Sequence, residues 1–131
     1  MLDGAARATI AGDIVRLQIE YYGRGPTKAK VHFAGGVLVV VLEETFTPAE
    51  RTLIERGEAD GIRDIRRRFQ RVMEDQFTSI VEQATGQQVR SFFSDTDLEN
   101  DISVEVFILA GARTDMSGFE TAEQQDLDEQ G

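Results

Sequence analysis

The apolar residues of the chain recur at two different spacings, which predict helices and strands in turn. Spacings of three and four positions predict a first helix over residues 5–22, which Gly23 ends because glycine accepts the left-handed conformation of a helix C-terminus. The same spacings predict a long helix over about residues 60–84, which Gly86 closes. The apolar stripe of this long helix consists of Ile62, Ile65, Phe69, Val72, Met73, Phe77, Ile80, Val81 and Ala84.

A short helix between these two is predicted by its start signal. Thr47 is suited to cap the first turn, Pro48 favours the first helical position, and Glu50 can reach back to close a capping box. We expect this helix to run to about Arg56 and to stop at Gly57, with Leu53 and Ile54 as its buried side chains.

A period of two predicts a first hairpin after the first helix. Apolar and polar residues alternate over residues 28–33, and the sequence Ala-Gly-Gly at 34–36 supplies a turn. The unbroken apolar run over residues 37–42 is typical of a central strand that is covered on both faces.

A second hairpin is predicted after the long helix, with strands over residues 89–96 and 102–108. In the first of these strands, a period of two places Val89, Ser91 and Phe93 on one face. The predicted element order is therefore α-β-β-α-α-β-β. Because hairpins form antiparallel pairs, we expect an α+β fold with two layers: a four-stranded antiparallel sheet and helices on one face.

The composition narrows the possible functions. The 131 residues include 24 acidic and 14 basic ones, no cysteine and a single histidine. These counts exclude disulfides, thiolate metal sites, a cysteine nucleophile and any site built from two histidines of the same chain. From residue 111 onward the chain is strongly acidic and poor in apolar residues, so we expect one domain over residues 1–110 and a disordered acidic tail over residues 111–131.

The distribution of apolar residues also bears on location. The longest apolar run, residues 37–42, is far shorter than the roughly 20 residues that span a bilayer. The first residues lack the basic and apolar regions of a signal peptide. We therefore expect a soluble, cytoplasmic protein that does not insert directly into a membrane.

Three features that could carry chemistry each lack a required element. The acidic loop over residues 95–101 has no glycine at the position that a calcium loop needs. Gly23, Gly25 and Pro26 follow a helix and precede a strand, the reverse of a phosphate-binding loop, and are better explained as a helix stop and a rigid turn. His32 has no partner of the kind that catalysis or metal binding requires. We expect no catalytic residues, no cofactor and no metal site.

Arginines crowd the first half of the long helix, although the protein is acidic as a whole. Three of them are spaced by four positions and form a column of like charge, which lowers helix stability. The column is either a salt-bridged, solvated face or a surface for an anion or a protein partner. A net charge of −10 disfavours nucleic acid. The candidate binding residues are Arg24, Lys28, Lys30, Arg63, Arg67 and Arg71.

Four stretches of the chain resemble one family in the same order. They are YYGRGPTKA over residues 21–29, the apolar strand ending in Leu-Glu at 42–43, TPAERTL over residues 47–53, and FTSIVEQATGQQV over residues 77–89. Together they resemble the MpsC-like domain over about residues 5–110. The chain differs from the family pattern in having Arg24 where lysine is common and in carrying its own acidic tail.

The resemblance implies a function but no catalytic residues. It implies a small soluble component that works with a membrane ion-conducting subunit, in systems linked to membrane potential and inorganic carbon uptake. We therefore expect a non-enzymatic accessory subunit, and the alternative is a small anion-binding or metabolite-binding regulatory domain. We also expect a homo-oligomer, a dimer in the simplest case, because the long apolar stripe and the edge strands need cover.

Overall fold

The order of elements is that predicted from the sequence. A computed structural model describes residues 2–111 and contains three helices and four strands, so the predicted α+β fold is confirmed. Apart from Gly111, the predicted acidic tail lies outside the described residues. The elements are α1 (Gly4–Tyr22), β1 (Lys28–Ala34), β2 (Val37–Glu43), α2 (Pro48–Glu55), α3 (Ala59–Thr85), β3 (Val89–Asp97) and β4 (Ile102–Leu109).

The four strands form one antiparallel sheet in the order β1-β2-β4-β3. Each hairpin therefore supplies one edge strand and one central strand. The two central strands pair along their length, from Val37 opposite Ile108 to Glu43 opposite Ile102. This pairing joins the two hairpins into a single sheet.

The core lies between one face of the sheet and the two long helices, as expected for a two-layer fold. Alternate residues of β2 and β4 point to this side, and α1 and α3 pack side by side across it. A chain of aromatic rings, Phe77, Phe92 and Phe107, connects α3 to the sheet. The fully buried core residues are Ile10, Ile14, Leu38, Val40, Leu42, Met73, Phe77, Val81, Phe107 and Leu109.

The second face of the sheet differs from the prediction. We expected β2 to be covered on both faces, and this is wrong, since Val37, Val39 and Val41 are partly exposed and belong to neither apolar cluster of residues 2–111. The helices lie on the other side of the sheet. Both faces of β2 are apolar, which explains the unbroken apolar run, but the helices cover only one of them. We call this second side the open face; its apolar residues are Val37, Val39, Val41, Phe93, Ile102, Val104, Val106 and Ile108.

A β-bulge changes the predicted faces of β3. Val89 pairs with Leu109 but Ser91 pairs with Ile108, so one residue of β3 is left over between them. Val89 consequently packs against the core, whereas Ser91 and Phe93 lie on the open face. The period of two had placed all three on one side, which is wrong because the bulge shifts the alternation by one residue.

Two predictions about helix burial also need correction. Leu53 was expected to be buried but is exposed, whereas Ile54 packs against the small apolar cluster of Phe46, Ile62 and Leu98. On α3, the predicted apolar stripe is wider than the surface that the sheet and α1 cover. As a result, two members of the stripe, Ile65 and Val72, are exposed.

Candidate functional site

A buried arginine, Arg66 of α3, is the centre of a densely connected group of polar residues. Its side chain is 3% exposed. Nε donates to Glu50 Oε2 at 2.7 Å, and Nη2 donates to Glu50 Oε1 at 2.6 Å. This two-point pairing matches the geometry of a carboxylate, which an arginine can satisfy and a lysine cannot. The remaining donors reach Thr45, whose hydroxyl and carbonyl oxygens accept at 3.1 and 3.2 Å.

Two aromatic rings complete the surroundings of Arg66. The guanidinium carbon lies 4.2 Å from the ring centre of Tyr22 and 4.8 Å from that of Phe46. Ring faces attract a cation, and the attraction is stronger where water is excluded. Burial raises the pKa of Tyr22 to about 12, with the positive charge of Arg66 opposing the rise, so the phenol stays neutral at physiological pH.

The start of α2 is built into the same group. Thr47 Oγ1 accepts from the Glu50 backbone N–H at 3.1 Å, and Glu50 Oε1 accepts from the Thr47 N–H at 3.0 Å, which forms a capping box with Pro48 in the first turn. Glu50 Oε1 thus serves both the helix cap and Arg66. Burial raises the pKa of Glu50, but hydrogen bonds from Arg66 and Thr47 outweigh this and hold the pKa below its ordinary value.

Replacing Thr47 by alanine should lower the free energy of unfolding by about 1–2 kcal/mol, because the Glu50 N–H loses its acceptor. Serine keeps the hydroxyl, so Thr47→Ser is expected to retain most of the stability. Urea unfolding of both variants measures the difference. An equal loss for alanine and serine would show that the methyl group, and not the cap, accounts for the effect.

Asp101 secures the connection between β2 and α2 from the opposite hairpin. Its carboxylate accepts from the Thr45 N–H at 2.8 Å, the Thr45 hydroxyl at 3.1 Å and the Phe46 N–H at 3.2 Å. Its carbonyl accepts from the Glu44 N–H, and both Glu44 and Asp101 have positive φ values, 60° and 53°. The sequence places Asp101 in an acidic loop, and nothing in the local pattern indicates these distant partners.

Asp97, another acidic residue of this turn, binds the backbone of the turn itself. Asp97 accepts from the side chain and backbone of Asn100 and from the Glu99 N–H, and these hydrogen bonds hold the pKa of Asp97 below its usual value. Within residues 2–111, acidic and histidine side chains form no group of three or more that could hold a metal ion. The hydrogen bonds of Asp97 therefore stabilise the turn.

Glu105 is a second buried ionisable group, on β4 and on the helix-facing side of the sheet. It is 1% exposed, and its Oε2 atom has no hydrogen-bond partner in the described structure. Burial raises the pKa of Glu105 to about 8, although the Ser94 hydroxyl and the charge of Arg66 both lower it. The carboxyl group is thus mainly protonated at pH 7. Its only sequence signal was an acidic residue within an apolar strand.

The arginine column lies on the surface of α3 that faces β3. Arg67 and Arg71 are exposed, and with Gln70 and Glu74 they line a shallow cleft of about 270 Å³. Arg63 is half-buried and lies 3.4 Å from Asp60. The structure therefore brings the three arginines of the column together along one helix.

The other predicted basic residues lie elsewhere. Arg24 follows α1 and donates to the Glu44 carbonyl at 3.4 Å. Lys28 and Lys30 are exposed on β1, which is the opposite edge of the sheet from β3, and they point to the open face. The basic residues thus form two separate groups. Gly23 and Gly86 each end a helix with a positive φ, 79° and 71°.

One residue of the glycine-rich turn is held by close packing. A Cβ atom at Gly25 would lie 2.8 Å from Ile19 Cγ1 and 3.3 Å from Val15 Cγ1, so the turn that it forms with Pro26 passes close over α1. The close packing of this turn on α1 agrees with the expectation that Gly23, Gly25 and Pro26 form a helix stop and a rigid turn.

Comparison with protein families identifies one match. The chain matches the family model described as "Na+-translocating membrane potential-generating system (MpsC)" over residues 3–111, which confirms the resemblance seen in the motifs. Comparisons with curated proteins and with solved structures found no match. Among the helices of residues 2–111, none is long and apolar enough to cross a membrane.

Proposed function

Because the chain belongs to the MpsC family, we propose that it is a non-enzymatic accessory subunit of a sodium-translocating, membrane-potential-generating system. It binds an acidic surface of a membrane-embedded partner through the column of Arg63, Arg67 and Arg71. The observation that carries the proposal is the exposure of Arg67 and Arg71. Neither has an ion-pair partner among residues 2–111.

The column has an energetic cost to the isolated protein that an acidic partner would relieve. Like charges four positions apart repel each other on a helix, which lowers its stability. Within the described part of the chain, Arg63 alone among the three is compensated, by Asp60. Complementary charge across an interface accelerates association and selects the partner.

A protein surface fits these arginines better than a small anion does. The cleft beside Arg67 and Arg71 is shallow, and the carboxylate of Glu74 and the ring of Phe92 share its lining. A larger cleft of about 490 Å³, between α2 and the β3–β4 turn, contains more carboxylates than cations. An extended acidic surface can contact all three arginines along the helix without entering either cleft.

Charge reversal tests this proposal. With Arg63→Glu, Arg67→Glu and Arg71→Glu combined, the amount of chain that co-purifies with the membrane subunits of the system should fall about ten-fold, because each contact becomes repulsive. Co-expression followed by detergent extraction and affinity capture measures this amount.

The control is Arg68→Glu, which reverses a single arginine of the same helix. Arg68 lies beside Ile65, Phe69 and Val72, outside the column, so this variant should co-purify as the unchanged chain does. Undiminished co-purification of the triple variant would refute the proposed surface. An equal loss with Arg68→Glu would attribute the effect to the charge of the helix as a whole.

A further inference from the structure

The open face of the sheet is an apolar surface that no element of residues 2–111 covers. Seven of its residues are valines or isoleucines on the two central strands, and all seven are partly exposed. Phe93, on the neighbouring edge strand, is 61% exposed. Contiguous apolar patches of this kind on a folded protein mark interaction surfaces.

The edges of the sheet are protected against pairing with another chain, in contrast to the open face. Edge strands avoid such pairing through lysines, other charged residues and bulges. Lys28 and Lys30 lie on β1, and β3 has its bulge after Val89 together with Asp95 and Asp97. Association through the open face is therefore favoured over extension of the sheet.

The strand register arranges the charges of the open face into a pattern. Cross-strand partners point to the same face, so each row of paired residues runs from one edge to the other. One row runs from Lys30 through Val41 and Val104 to Asp95. The next rows begin at Lys28 and His32 and end at Asp97 and Phe93, respectively. One edge of the open face is thus basic and the other is acidic, and the centre between them is apolar except for Glu43 at the end of β2.

We propose that a second copy of this chain packs against the open face, with the two-fold axis between the sheets and parallel to the strands. This axis exchanges the two edges, so β1 of each copy lies over β3 of the other. Lys30 then faces the partner subunit's Asp95, and the contact occurs twice. A two-fold axis perpendicular to the strands would instead place lysines over lysines and aspartates over aspartates.

The resulting interface has the usual anatomy of a protein contact. The valines and isoleucines of the central strands meet at its centre, where two sheets pack face to face at about 10 Å. The charged residues of the edge strands form a polar rim around them. The helices remain on the outside of both copies, so the arginine column stays accessible in the dimer.

A charge exchange tests both the surface and the direction of the axis. The variants Lys30→Glu and Asp95→Lys each convert the paired charges into like charges, so each should raise the dimer dissociation constant about ten-fold. The double variant Lys30→Glu/Asp95→Lys restores opposite charges and should return the constant to within about three-fold of its original value. Sedimentation equilibrium of the full chain at tens of micromolar measures these constants.

The controls separate this surface from others. Arg68→Glu lies on the helix layer and should leave the dimer unchanged, whereas Phe93→Ser should weaken it without any change of charge. Far-UV circular dichroism checks that each variant is folded. A monomeric unchanged chain, a dimer insensitive to both single reversals, or a double variant that fails to recover would each overturn the proposal.

Discussion

The variant Arg66→Ala is expected to unfold with a free energy about 3–5 kcal/mol lower than that of the unchanged chain. Removing one member of a buried ion pair leaves the other without compensation, and here Glu50 would keep a carboxylate whose main partner is gone. The substitution also removes the cation between the rings of Tyr22 and Phe46 and leaves Thr45 without its donor. Urea unfolding followed by circular dichroism measures the change.

The neighbouring Arg67→Ala is the matched control, because Arg67 is exposed on the same helix and should change stability by no more than about 0.5 kcal/mol. The double variant Glu50→Ala/Arg66→Ala should lose less than the sum of the single variants, since neither charge remains buried alone. Equal losses for Arg66→Ala and Arg67→Ala, or strict additivity in the double variant, would contradict a buried, coupled pair.

The second large effect concerns pH. The folded-state pKa of Glu105 is raised from its ordinary value of 4.5 to about 8, mainly by burial. The group therefore contributes stability that is fully present below about pH 4.5 and is lost as pH rises to about 8, because the unfolded chain releases the proton first. Each pH unit within this window lowers the free energy of unfolding by up to about 1.4 kcal/mol.

The variant Glu105→Gln removes this dependence, because an amide does not ionise. We expect the variant to be no more stable than the unchanged chain at pH 5 and more stable at pH 9, as measured by urea unfolding at both values. Because the pKa of Glu50 is lowered, this residue makes stability depend on pH only below the usual carboxylate range. Tyr22, whose pKa is raised, does so only above about pH 10. Neither residue therefore accounts for a change in the free energy of unfolding between pH 5 and pH 9. Identical slopes for both proteins would disprove the assignment.

Periodicity, together with the start signal of α2, was sufficient to predict the elements but not to identify which side of each strand is buried. On β4, the residues that alternate with valine and isoleucine include Ser103 and Glu105, and these polar residues face the core. A pattern based on hydrophobicity alone would bury the opposite side. The side of β4 that is buried is the side on which the helices lie, and the position of the helices depends on packing between distant segments.

The candidate site shows the same limit. Thr47, Pro48 and Glu50 form a local motif whose capping geometry follows from sequence spacing. Arg66 belongs to a run of arginines, and its spacing does not distinguish a buried side chain from an exposed one. Arg66 differs from the neighbouring arginines because it contacts Tyr22 and Thr45, which are distant in sequence and come close only in the folded chain. The capping motif, which is local in sequence, was thus predictable, whereas its distant partner Arg66 was not.

The strand order β1-β2-β4-β3 has a consequence for how the chain reaches its folded state. Each hairpin closes over a short loop, whereas the β2–β4 pairing joins segments such as Val41 and Val104 that are far apart in sequence, so it carries the larger loop-closure cost and forms slowly. Until then, each hairpin presents its most apolar strand as an unpaired edge. The interval before the two hairpins dock is therefore when a newly made chain is most exposed to aggregation.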